Sequence, residues 1–135
     1  MAFDNKSSEF SLGDIVYNRL SNAFRDDGRL RLVTQQPDCL LEGSTNSFSE
    51  KIYSYDESNN VQDYIVVISF SVTFTDLINN KVLYENKNLQ MSEIYASSSD
   101  SMNESTSRFK TKDEAINEIC DKLFKAIMQN TLESW

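Results

Sequence analysis

Hydrophobic and polar positions alternate most regularly between Val61 and Thr75, in VQDYIVVISFSVTFT. Tyr64, Val66, Ile68, Phe70, Val72 and Phe74 fall on one side, and Asp63, Ile65, Val67, Ser69, Ser71, Thr73 and Thr75 on the other. Successive side chains of a strand point to opposite faces, so the pattern predicts a long central strand with one fully apolar face. Its second face is apolar at the start and hydroxyl-rich afterwards, as where one end is covered and the other meets water. At ~3.3 Å per residue such a strand spans roughly 50 Å.

The flanking segments read as its partners. Cys39 to Tyr55 (CLLEGSTNSFSEKIYSY) has strand character, with Gly43 marking a bulge or a close backbone approach. The DESNN sequence at 56–60 is a turn, and Asn79-Asn80 supplies residues that tolerate positive φ in a hairpin. Val82 to Tyr95 continues as the next strand, with a change of parity through ENKN that predicts an irregularity there. Arg29-Leu30-Arg31-Leu32-Val33 alternates and predicts a short strand with Leu30 and Leu32 inward, ended by Pro37.

Two segments carry the helical period instead. Leu12, Ile15, Val16, Leu20, Ala23 and Phe24 form one apolar stripe, predicting a helix over about 12–26. It opens on the capping-box-like S-L-G-D from Ser11 and stops at Gly28 in the left-handed position. Ile116, Ile119, Cys120, Leu123 and Ile127 form a second stripe, predicting a helix over about 112–132 behind the capping box Thr111-Lys-Asp-Glu114. The tract 96–109 is Ser-rich and aperiodic, so it reads as a loop. Two one-faced helices need a surface to cover, and a sheet with one apolar face supplies it. The expected fold is an α+β two-layer sandwich, with both helices on one face of a mostly antiparallel sheet of about four strands.

Composition narrows the function. The 135 residues suit a single domain, and the net charge of −8 with no histidine argues against a nucleic-acid binder. No apolar run approaches the ~20 residues of a membrane-spanning helix. Zinc sites and catalytic triads require histidine or paired cysteines, and the sequence supplies neither. Each of the three glycines has a structural explanation, so there is no phosphate loop and no cofactor is expected. Cys39 and Cys120 read as small core residues, with a bridge between them as the alternative. Asp26-Asp27 reads as a solvated helix end rather than a metal pair. Tyr53, Tyr55 and Tyr64 are either packing residues or an exposed aromatic patch. Arg108, Lys110 and Lys112 form the one basic cluster, either a solvated helix entrance or a rim that contacts an anion. No enzyme emerges from these residues.

The segments RDDGRLRLV, DCLLEGSTNSFSEKIYSYDE, DYIVVISFSVTFTDL with NKVLYENKNL, and TKDEAINEICDKLFKAIMQNTLESW together resemble the LPS-assembly lipoprotein LptE family. The resemblance covers nearly the whole chain and carries no catalytic signature. It implies a single domain over 1–135, lacking an upstream lipoprotein signal, the acylated Cys and most of a first strand, of which Met1-Ala2-Phe3 is the remnant. Residues 1–8 are then expected to be poorly paired or to occupy the sheet only briefly. It further implies a location on the periplasmic side of the outer membrane, with membrane contact only through that absent anchor. The partners implied are an LptD-like β-barrel, which the chain would plug and help assemble, and lipopolysaccharide on its way to the cell surface. Within that frame Arg108, Lys110 and Lys112 are candidates for lipopolysaccharide contact, and Tyr53 and Tyr55 for barrel or acyl-chain contact. The alternative is another periplasmic accessory lipoprotein, pilotin-like, serving a different outer-membrane complex.

Overall fold

The computed structural model describes residues 1–31, 33, 35–97 and 111–131. Its elements run β1 (Ala2–Asn5), α1 (Leu12–Asp27), β2 (Cys39–Tyr55), β3 (Val61–Asp76), β4 (Lys81–Ala96) and α2 (Lys112–Thr131). The strands form one sheet in the order β1-β2-β3-β4, with β1 parallel to β2 and the remaining pairs antiparallel. The helices pack on one face of it, giving the α+β fold that the periodicities imply.

The face chosen is the one the alternation marks. Val66, Ile68, Phe70, Val72 and Phe74 are all at most 3% exposed, beneath Leu12, Val16, Leu20 and Phe24 of α1 and the Ile116–Met128 stripe of α2. The two helices pack on each other, α2 lies over β3 and β4, and α1 reaches β1. Aromatic rings fill the corners: Phe3 meets Phe70 edge-on at 6.2 Å, and Phe24 meets Phe124 at 5.1 Å. Such T-shaped pairs place a ring edge on the negative face of its neighbour.

β1 is the short sheet segment expected of the N-terminus, pairing Ala2 to Asn5 with Glu42 to Thr45. It brings the Phe3 ring over Gly43, where an added Cβ would lie 2.4 Å from Phe3 Cε2 and 2.6 Å from the Ser71 carbonyl oxygen. Gly43 is therefore a close approach, and the β2 bulge falls later, between Thr45 and Ser47. The irregularity expected at ENKN is a β4 bulge: Phe70 pairs with Leu89 and Val72 with Asn86, so Lys87 and Asn88 together oppose the single Ser71.

Two expectations are corrected. Arg29–Val33 forms no strand among its described residues; Gly28 is left-handed (φ 79°) and Arg29 folds back onto Asp27. Ser11 does not cap α1 through its side chain, because its own backbone is helical (φ −68°, ψ −18°). Asn5 organises that entrance instead, accepting from the Ser7 amide at 3.1 Å and donating to the Glu9 carbonyl at 2.8 Å. At α2 the cap forms as read: Thr111 Oγ1 accepts from the Glu114 amide at 3.1 Å.

Candidate functional site

At the hairpin end, β2 departs from regular pairing just where the tyrosines lie. Ile52 pairs with Tyr64 and Ser54 with Asp63, so Tyr53 is an extra residue; a second shift follows before Tyr55 pairs with Val61. Bulges re-aim side chains, and Tyr53 and Tyr55 stand 56% and 58% exposed beside Ile52 at 47%. The turn beyond them is held by Asp56, whose carboxylate accepts from the Ser58 and Asn60 amides at 2.8 and 2.9 Å. Tyr64 separates from this pair. It stacks on Tyr95 with centroids 5.4 Å apart, and the Tyr95 hydroxyl donates to Glu50. Burial, then that bond, raises the Tyr95 pKa well above the usual phenol range.

Of the basic cluster, Lys112 lies within the described residues, whereas Arg108 and Lys110 lie outside them. Lys112 opens α2 with its Nζ 3.5 Å from Glu9 Oε2 and 5.0 Å from the centre of the Phe48 ring. It thus joins the α2 entrance to the segment before α1 and to β2. Phe48 precedes Tyr53 by five positions, roughly 16 Å along a strand at ~3.3 Å per residue. The tyrosines and Lys112 therefore belong to neighbouring patches rather than one pocket.

The sheet face away from the helices has no second layer among the described residues. Its centre is a ladder of bonded polar groups. Ser44 Oγ donates to Asn46 Oδ1 (2.6 Å), Asn46 Nδ2 to Ser71 Oγ (2.6 Å), and Ser71 Oγ to the Lys87 carbonyl (3.0 Å). The Ser47 and Ser69 hydroxyls lie 2.5 Å apart. Nearer the hairpin the same face turns apolar, with Ile65 pairing with Ile94 on β4.

At the opposite end lies a feature that sequence reasoning missed. A cleft of about 570 Å³ opens between the end of α1, the 28–38 loop, and the strand ends of β2 and β3. Its apolar wall includes Phe24, Leu30, Leu41 and Phe74, with Arg29 and Arg31 on the loop side. The one available signal was the alternating RLRLV, whose Leu30 turns inward as expected but from a loop, while Leu32 lies outside the described residues. Cys39 lines the cleft partly buried, whereas Cys120 is fully buried and its thiol is pushed up to about 12 by burial. Both thiols are free, which settles the question of a bridge. Among the described residues no group of three or more His, Cys, Asp or Glu is placed to hold a metal, and no helix is long and apolar enough to cross a membrane.

Comparison with known proteins gives the arrangement its family. No curated protein matches the chain. Rare lipoprotein B from Shewanella oneidensis shares the fold with a TM-score of 0.60 at 13% identity, over 99% of this chain and 96% of that one. A hypothetical protein of Chlamydia trachomatis aligns with a TM-score of 0.56 at 14% identity, over 94% and 92% of the two chains. A minor lipoprotein of Acinetobacter baumannii follows with 0.51 at 9% identity, over 95% and 87%. At these identities the likeness concerns the fold alone. The family model described as LptE, lipopolysaccharide-assembly, matches residues 1–131, and the chain belongs to that family.

Proposed function

We propose that the protein is a non-catalytic lipoprotein subunit that plugs and helps assemble an LptD-like β-barrel and assists delivery of lipopolysaccharide to the cell surface. The observation that carries this reading is the family match over residues 1–131. The shape supports it. A plug needs a rigid body and wall-contacting surface, and among the described residues one sheet face carries no helix while the other is a closed core. Tyr53 and Tyr55 are amphipathic rings exposed at the hairpin end, the chemistry favoured where a surface meets both apolar and wet partners. They contact the barrel or an acyl chain. Lys112, with Arg108 and Lys110, contacts lipopolysaccharide phosphate, to which ammonium and guanidinium groups form charge-assisted bonds. An acylated Cys upstream of Met1 holds the protein to the periplasmic side of the outer membrane.

The test is co-purification of the barrel subunit with the tagged chain. Capture of a different outer-membrane protein, such as a secretin, overturns the reading in favour of a pilotin-like role. For the basic rim, Lys110→Glu/Lys112→Glu is expected to weaken lipopolysaccharide binding at low salt. Because Lys112 also bonds Glu9, a Glu9→Gln variant reports what loss of that contact alone does. Unchanged binding by the double variant removes the basic rim and leaves the plug reading standing.

A further inference from the structure

The two sides of the sheet end differently. Along an antiparallel pair, successive residues of a strand turn their amide and carbonyl alternately toward and away from the neighbour. The Ser97 amide donates to the Gln62 carbonyl at 3.0 Å, so Gln62 faces β4, and with it every second residue of β3 on to Phe70. Phe48, Glu50 and Ile52 of β2 lie opposite Ile68, Val66 and Tyr64, and therefore turn their main-chain groups outward. The Lys6 amide agrees, reaching the outward carbonyl of Thr45, opposite Phe70, at 2.7 Å. The same phase turns Ser92 of β4 outward, and there Lys122 donates to its carbonyl at 3.3 Å. The β4 edge is thus guarded by a lysine on an outward carbonyl, by the Lys87-Asn88 bulge and by a second register shift beside Leu83. Proteins use these devices to keep an edge from pairing with another chain.

The β2 edge lacks them. β1 covers Glu42 to Thr45 only. From Ser47 to Ile52 the pairing with β3 runs without interruption, between the shifts at Asn46 and Tyr53. Among the described residues no strand lies on the outer side of that run. We propose that the Ser47–Ile52 edge receives an extended segment of a partner protein as an added strand. Outward amides and carbonyls at every second residue are matched by extended polypeptide, and the added main-chain bonds supply the affinity in such pairing. The pleat then sets the segment's side chains. Those on the helix side lie beside Phe48 and the 47% exposed Ile52, and those on the open side beside Ser47, Ser49 and Lys51. The fitting segment is about six residues long, apolar at alternate positions and polar between them, with an acid beside Lys51. This inference stands on the edge geometry and does not depend on the barrel-plug reading.

The test follows amide hydrogen exchange in the isotope-labelled full chain by NMR. The probe is a short acetylated and amidated peptide alternating valine and threonine, with one aspartate in a threonine position. Two versions carry N-methyl groups, one on every valine amide and one on every threonine amide, so that each keeps a single bonding edge. In the free chain the amides of Phe48, Glu50 and Ile52 should exchange quickly. At ~1 mM peptide they should slow roughly tenfold or more with one methylated version and not with the other. Glu50→Pro removes one outward donor, at an edge position where proline is tolerated, and should abolish the effect. Should that variant fail to fold, the methylated peptides decide alone. Protection by both versions or by neither overturns the added strand, and protection at Ser92 or Ile94 instead overturns the choice of edge. Slow exchange in the free chain also overturns the proposal: if it rises with protein concentration, a second copy holds the edge, and if it does not, the edge is already filled. Barrel capture is measured separately, so each result is distinguishable from failure of the plug reading.

Discussion

The two faces of β3 differ by one residue of register and by almost everything else. Phe70 is fully buried beneath the helices, while its neighbour Ser71 sits in the hydroxyl ladder of the open face, bonded to Asn46 and Lys87. The covered face is held by apolar burial, which is non-directional and scales with area. The open face is held by short directional bonds among hydroxyl and amide side chains, each worth little net. The first face determines whether the protein folds. The second is free to be shaped by whatever lies against it, and for a proposed plug that is the useful division.

The sharpest way to break the comparison is to empty the covered face. Phe70→Ala removes a ring that touches Phe3 and is 0% exposed, and it should cost about 3–5 kcal/mol in denaturant unfolding. A loss under ~1 kcal/mol would mean the core lies elsewhere. Gly43→Ala tests the same face by overfilling it. The new methyl meets both the Phe3 ring and the Ser71 backbone oxygen; the ring can shift, but the backbone oxygen has little room to do so. A cost of about 1–3 kcal/mol is expected, the range for overpacked sites. A neutral result would indicate that β1 moves away easily, and that the parallel pairing contributes little.

Thr45 sharpens the contrast in the other direction. It is a hydroxyl on the covered side, pairing across from Phe70, 1% exposed and without a hydrogen-bond partner for Oγ1 among the described residues. A buried polar group left unpaired costs free energy that an apolar isostere does not. Thr45→Val should therefore raise stability by about 1 kcal/mol. A comparable loss instead would reveal a partner for the hydroxyl in solution, such as a buried water.

The covered face was the part most legible in the sequence, because it is written as local periodicity. The i, i+2 alternation of β3 and the stripes of α1 and α2 each report burial without reference to distant residues. Gly28 and the Thr111–Glu114 cap were equally local. Legibility ends where a structure depends on a partner far along the chain. Arg29–Val33 alternates like a strand, yet its described residues pair with no strand. Ser11 has a cap residue's chemistry, but Asn5 shapes the turn before it. Lys112 reads as one more cation, and its contacts with Glu9 and Phe48 lie 103 and 64 positions away. The cleft was invisible for the same reason: its walls come from α1, a loop and two strands.

The two helix starts extend that lesson into a measurement on the layer that makes one face different from the other. α2 covers β3 and β4, and Thr111 satisfies one of the amides that its first turn would otherwise leave unpaired. Thr111→Ala should cost about 1 kcal/mol, typical for loss of an N-cap side chain. Ser11 holds the corresponding place before α1 without making that bond; its hydroxyl donates to half-buried Glu9 at 3.2 Å instead. Ser11→Ala should stay within about 0.5 kcal/mol of the parent, as for surface changes that touch no special feature. Both variants are read in the same urea titration, with the midpoint shift interpreted at constant m-value. Equal losses from the two would mean that Ser11 caps α1 in solution after all. The expected inequality would show that identical cap chemistry matters only where the backbone before the helix leaves it an amide to accept from.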